Sequence, residues 1–173
     1  MVAYSFQKRF VGHVQAGLEP GPWCPGMKRH TLRAPRRGRQ GHARPEQPVH
    51  LYTAMRTKHC RMIGKAVARV QIPVRLIWLG QDQRLVLMRE PGAAPRSRVA
   101  FLAPIVQTLL RMEPQCMLEH EEMDEFARTD GFGSADEMAV FFNAPNNAVT
   151  GKTGGNAIMD LVLIGWSPAE SAA

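Results

Sequence analysis

Short β-type runs, punctuated by a few helix-length amphipathic segments, predict an α+β domain built on a curled antiparallel sheet. Three observations lead there. The 173 residues are 45% hydrophobic and 21% charged, which supports one packed core at roughly 150 residues per domain. Residues 65–78 are rich in β-branched and apolar side chains; a Gly-containing turn and an alternating run at 84–88 follow, the pattern of a hairpin. Residues 119–129, and the segment opened by Ser134, instead carry apolar side chains at helical spacing.

Taken in order, residues 3–6 start a strand, and Phe10, Val11 and Val14 mark a helix over 10–16 that Gly17 stops at its C′ position. Residues 18–25 (LEPGPWCP) form a Pro/Gly loop. Residues 31–33 and 49–52 read as short strands, separated by a basic loop at 36–44. In the long run 65–78, Pro73 marks an edge or a bulge, because proline cannot donate to a ladder. Residues 90–98 are a Pro, Gly, Ala and Arg loop. A helix is expected over 99–112, with Pro104 near its first turn. The helix at 119–129 turns Met123, Phe126 and Ala127 inward. Ser134 with Glu137 makes a capping box for the next, whose buried side is Met138, Phe141 and Phe142. Residues 143–156 are a polar loop and 158–166 a final hydrophobic strand. Met112, Met117, Met123, Met138 and Met159 fit as core filler, Trp78 and Trp166 as core, and Trp23 as an exposed loop aromatic.

Several function classes drop out. No run of 18 apolar residues exists, so neither a membrane span nor a membrane partner is expected. Cys24, Cys60 and Cys116 lie far apart without a C-x-x-C pair, and the six histidines include no helical H-x-x-x-H pair. Free thiols in a cytoplasmic protein, with no metal and no cofactor, are the expectation. Gly151-Lys152-Thr153 is no phosphate loop, since Asn146 stands where the motif needs glycine. Charge, by contrast, is informative: residues 1–98 carry 19 Lys/Arg against 4 Asp/Glu, whereas residues 99–173 carry 3 against 11. So uneven a distribution points to a localised face for a polyanion. Arg33, Arg36, Arg37, Arg39 and Arg44 form one basic cluster. Arg56, Lys58 and Arg61 form another beside Tyr52, which supplies either a stacking surface or a sheet residue with a satisfied hydroxyl.

The densest chemistry lies in Gly26-Met27-Lys28-Arg29-His30-Thr31-Leu32-Arg33. On an extended backbone Thr31 and Arg33 share a face, and a turn after Gly26 brings Lys28 round to them. An ammonium beside a hydroxyl, with a guanidinium to clamp phosphate, is a reactive combination; a basic turn entering a strand is the plainer alternative.

The spacing G-x-K-x-x-T-x-R, preceded by the Phe10-led helix, resembles the signature of the ASCH family, which has a PUA-like β-barrel fold. Residues 124–142 (DEFARTDGFGSADEMAVFF) resemble that family's acidic–Gly–Phe element and capped helix. Leu163-Ile164-Gly165-Trp166 resembles its last strand, and residues 42–45 with 51–57 resemble a phage and prophage subgroup. The resemblance spans most of residues 4–166. It implies a single domain over 1–166, a small antiparallel barrel with insertions near 18–25 and 93–117, and a disordered tail at 167–173. It also implies a basic cleft for RNA, single-stranded nucleic acid or a nucleotide. Some members hydrolyse an acetylated cytidine with a Lys, a Thr and a Glu, others are ribonucleases or binders. By motif, Lys28 and Thr31 match the first two and Asp130, one methylene shorter than Glu, stands at the acidic position, where it orients Lys28 or a leaving amine or else caps the turn before Gly131. A phage-encoded interaction protein that occupies a host factor is the third expectation.

Overall fold

The computed structural model describes residues 2–36, 41–79, 82, 84–91, 99–143 and 157–169. Its spine is the 19-residue strand β4, which follows β1 (Val2–Phe6), helix α1 (Val11–Gly17), β2 (His30–Arg33) and β3 (Pro48–Thr53) and runs from Arg61 to Leu79. Every second residue from Ala66 to Leu76 is buried, the period that keeps one face of a strand inward. One edge of β4 pairs with β3 near its start and with β5 (Arg84–Arg89) near its end. Its other edge pairs with β7 (Ala157–Pro168), whose outer side takes β2. A two-residue strand, β6 (Met117–Leu118), extends β5.

The expected hairpin and final strand are therefore present, within a mixed α+β domain of seven strands and four helices among the described residues. Two features depart from the antiparallel barrel expected. β1 runs parallel to β3, with Val2 opposite Val49 and Phe6 opposite Thr53. The sheet is also not closed: β1 and β2 end its two sides, and no ladder joins them. The last strand continues past Trp166, with Ser167 and Pro168 opposite Val67 and Ala66, within the stretch expected as a tail; residues 170–173 lie outside the described residues. Pro73 lies mid-strand rather than at an edge. Its carbonyl accepts from Glu90 N at 3.2 Å, and its missing N–H faces that same side, where β3 has left β4 and β5 is only starting.

Three helices cover the core: α2 (Pro104–Arg111), α3 (His120–Thr129) and α4 (Ala135–Asn143). α2 is shorter than the 99–112 expected because Pro104 opens it, where proline's fixed φ and absent N–H cost nothing. Ser134 Oγ caps α4 by accepting from Glu137 N at 3.2 Å, while Glu137 Oε2 returns to Gly133 N at 2.5 Å, one residue earlier than a reciprocal box would place it. Met123, Phe126 and Trp166 are fully buried as expected. Met117 is exposed, whereas Trp23 is half-buried with its indole N–H on Met27 O at 2.8 Å. Among the described residues no helix is long and apolar enough to cross a membrane. The loops expected at 36–44, 79–82, 90–98 and 143–156 lie partly or largely outside the described residues.

Candidate functional site

Helix α1 sets the backbone of the Lys28 segment. Lys28 N donates to His13 O at 2.9 Å and the His13 imidazole bonds Gly26 O at 2.8 Å. Gly17 is helical, not the left-handed stop expected. A Cβ there would lie 2.1 Å from Lys28 O, so glycine is required by close approach. Arg29 O then accepts from Trp166 N, and β2 continues along β7.

Asp130 arrives from the C-terminal end of α3, its N–H on Phe126 O at 3.0 Å. The chain then turns through Gly131 at φ +94°, pressed so closely on the Phe10 ring that a Cβ would be 2.9 Å from it. This brings Asp130 onto Lys28, whose ammonium donates to both its carboxylate and its carbonyl. Both side chains are buried. Burial pulls Lys28 below its ordinary value and pushes Asp130 above its own, and their mutual attraction opposes both shifts.

Lys28, Thr31, Arg33 and Asp130 line one cleft of about 190 Å³. Its other wall is aromatic: Phe10, Phe132, Phe141 and Phe142 meet edge to face or tilted, with Phe132 and Phe141 centroids 5.2 Å apart. Arg9 lies over this wall, 4.5 Å from the Phe10 centroid, tied to Glu137 at 2.6 Å. The cleft is smaller than the roughly 300–1,000 Å³ of ordinary ligand pockets, a size for one ring rather than a whole nucleotide.

Next to it, sharing Ser5 and Arg33, is a more open groove of about 470 Å³ lined also by Tyr4, Arg36, His42 and Arg56. The two hollows follow the gap between β1 and β2, which side chains bridge. Arg33 Nη2 donates to Ser5 O at 2.8 Å and Arg36 Nη2 to Ala3 O at 3.0 Å, carbonyls on one edge of β1. Tyr4 Oη accepts from Ala43 N at 3.0 Å and lies 3.4 Å from His42 Nδ1, while His42 Nε2 donates to Ala34 O at 2.9 Å. That chain leaves Nδ1 as the acceptor, and burial keeps His42 below its ordinary value, hence neutral.

Of the residues the sequence singled out, Lys28, Thr31, Asp130, Arg33, Arg36 and Arg56 thus come together. Arg44, Tyr52 and Lys58 line neither hollow: Arg44 and Lys58 are exposed, and Tyr52 tilts against His50 with centroids 6.3 Å apart. Arg37 and Arg39 lie outside the described residues. Sequence reasoning missed Phe132 as a wall, and the neighbours of Lys28. Arg29 is fully buried and given over to backbone carbonyls. His30, also buried, packs on Phe126 with Nε2 3.6 Å from the Asp130 carboxylate, too far to bond. No local signal marked Phe141 and Phe142 as a wall, since Met138, Phe141 and Phe142 at i, i+3 and i+4 form an ordinary buried helix stripe. Among the described residues no three His, Cys, Asp or Glu side chains gather as a metal site would need.

Burial, reinforced by Lys28, holds His30 well below the histidine value of 6.5. The unfolded chain therefore takes the proton first, and stability that is complete above pH 6.5 is lost as pH falls below it. One such proton contributes a slope of up to about 1.4 kcal/mol per pH unit. Urea unfolding from pH 7.5 to 5 is expected to be shallower by about that slope in His30→Gln; an unchanged pH dependence contradicts the assignment. Neither the family models nor the curated proteins nor the solved structures contain a match to this chain.

Proposed function

We propose that the protein binds RNA or a related single-stranded nucleic acid, seating one unstacked base in the inner cleft. The observation that carries this is the cleft's two-sided chemistry: four phenylalanines face Lys28, Thr31, Arg33 and Asp130 across a space of about 190 Å³. Aromatic rings offer stacking, and the polar side offers the donors and acceptors that a base edge needs. The cationic first half of the chain supplies long-range attraction for a polyanion. In this reading the sheet is a variant of the PUA-like barrel that the resemblance to the ASCH family implies, left open between β1 and β2, where arginines stand in for a ladder.

The second reading is a hydrolase acting on a modified nucleoside. The specific observation in its favour is that Lys28, Thr31 and Asp130 line the same cleft. In that reading Lys28 passes its proton to the Asp130 carboxylate, a transfer burial of both groups favours, and the free amine then takes one from the Thr31 hydroxyl or from water.

Fluorescence anisotropy with a labelled single-stranded RNA tests the first reading. Affinity is expected to fall roughly tenfold or more between 50 and 200 mM salt. Phe141→Ala is expected to lose about 1–3 kcal/mol of binding while the chain stays folded. No binding at 50 mM salt, or binding indifferent to salt, overturns it. In parallel, acetate release from acetylated cytidine, lost in the near-isosteric Thr31→Val, supports the hydrolase; RNA binding without any release leaves binding alone.

A further inference from the structure

We infer that the outer groove is a phosphate subsite, so that the trough selects a nucleotide carrying phosphate beside its base over the bare nucleoside. This rests on the base-binding reading for the inner cleft but on separate residues for the outer one. Arg33 and Arg36, at and just after the end of β2, and Arg56, after β3, bring three guanidinium groups to a hollow of about 470 Å³. Among the described residues none of the three meets a carboxylate within 4.0 Å, whereas Arg9, Arg69, Arg75 and Arg84 each do. The acidic influence on Arg33 comes from Asp130, which Lys28 already engages. Uncompensated like charges repel, and a bound anion relieves that repulsion.

The donors are held ready. Arg33 and Arg36 each spend one nitrogen on a β1 carbonyl and lie over the Tyr4 ring, 5.6 and 5.2 Å from its centroid. A guanidinium has five N–H donors in a rigid fork, so each retains several for a ligand and has its plane already fixed. Arg33 Nε is buried without a partner. A buried donor left unmade is costly, and an anionic oxygen is the acceptor best suited to it. Arg56 enters from the turn after β3, where it and Ala54 both adopt left-handed backbone, φ 66° and 51°. The tight turn keeps this exposed arginine beside the groove. The neutral polar residues there are engaged, Tyr4 with Ala43, His42 with Ala34 and Ser5 Oγ with Met55 N, so the charge the groove offers is cationic. Because Ser5 and Arg33 line both hollows, a group in one is a single side chain away from a group in the other. Base and phosphate of one nucleotide meet that requirement.

Calorimetry with four probes tests this: inorganic phosphate, uridine, uridine monophosphate and an acidic peptide. The monophosphate is expected to bind at least tenfold more tightly than uridine. In Arg56→Ala and in Arg36→Ala that ratio is expected to fall toward one. Arg111→Ala, which removes a positive charge that lines neither hollow, should leave it unchanged. Arg56 is exposed, so its variant keeps the test valid if Arg36→Ala fails to fold. Equal binding of uridine and its monophosphate overturns the phosphate subsite and leaves the base cleft standing. Inorganic phosphate binding that depends on Arg56, with no uridine binding, supports the subsite while removing the base reading. Preference for the acidic peptide over the monophosphate overturns the inference in favour of a protein ligand.

Discussion

Asp130→Ala is expected to cost about 3–5 kcal/mol of stability at pH 7, because it strands a buried ammonium. Lys28 is 2% exposed and its Nζ has the Asp130 carboxylate and carbonyl as its partners; beyond them only the Phe10 ring, 5.2 Å away at its centroid, faces the charge. The loss has a ceiling. The lysine can shed its proton instead, which for a group that ordinarily titrates at 10.5 costs about 5 kcal/mol at neutral pH. That limit gives the variant a signature: in Asp130→Ala the folded Lys28 titrates far below the unfolded one, so its deficit shrinks by about 1.4 kcal/mol per pH unit as pH rises toward 10.5. Lys28→Met combined with Asp130→Ala removes both charges, and the double variant should recover most of the loss, since apolar replacements of buried ion pairs are often neutral. Urea unfolding of the three proteins at pH 7 and pH 9 reads all of this. A single variant within about 1 kcal/mol of the parent, or a deficit that does not shrink with pH, refutes a buried charged pair.

The pair also shows where local pattern ends and long-range structure begins. The β4–β5 hairpin was legible because alternation of Ala66, Ala68, Val70, Ile72 and Val74 is a property of the strand itself. The cap at Ser134 was legible for the same reason. The parallel β1–β3 pair was not, since its two strands are separated by α1 and β2, and β2 then leaves to join β7. No run of residues near β1 records which edge it will meet. The gap in the sheet was equally hidden, as it follows from the pairing and not from composition.

At the site, the spacing of Lys28, Thr31 and Arg33 and the position of Asp130 could be read in advance, and the same cleft takes all four. What the sequence hid was the division of labour among basic residues. Lys28, Arg29, Arg33 and Arg36 count alike in a net charge. In the fold Lys28 is neutralised by Asp130, Arg29 is consumed by backbone, and Arg33 and Arg36 brace β1 while keeping donors free. Those roles are assigned by carbonyls and carboxylates up to 102 residues away along the chain.

Arg29 carries the other large expected effect. Its side chain is fully buried without a carboxylate, and it bonds Gly17 O and Gly21 O at 2.9 Å, Glu19 O at 2.6 Å and Phe101 O at 3.2 Å. Charge survives burial here because four carbonyl dipoles, that of Gly17 at the negative end of α1, point at the guanidinium. The bonds fasten the end of α1, the loop that follows it and the segment before α2 to the residue next to Lys28. Arg29→Ala is therefore expected to cost about 3–5 kcal/mol, since a large fully buried side chain is lost and a carbonyl left buried without its donor, as at Gly17, costs about 1–3 kcal/mol, while water reaches exposed Glu19 and Gly21. Arg29→Lys keeps the charge but offers a compact ammonium with three donors, which cannot span four acceptors, and should recover only part of the loss. Proteolysis should then cut first within residues 18–26, and, on the proposed RNA-binding reading, affinity should fall with the displaced Lys28 even though Arg29 lines neither hollow. Arg29→Ala unfolding at the parent's urea midpoint, with residues 18–26 still protected, would show that the guanidinium fastens nothing. Loss of RNA affinity in a fully stable variant would place Arg29 in direct contact with the ligand instead.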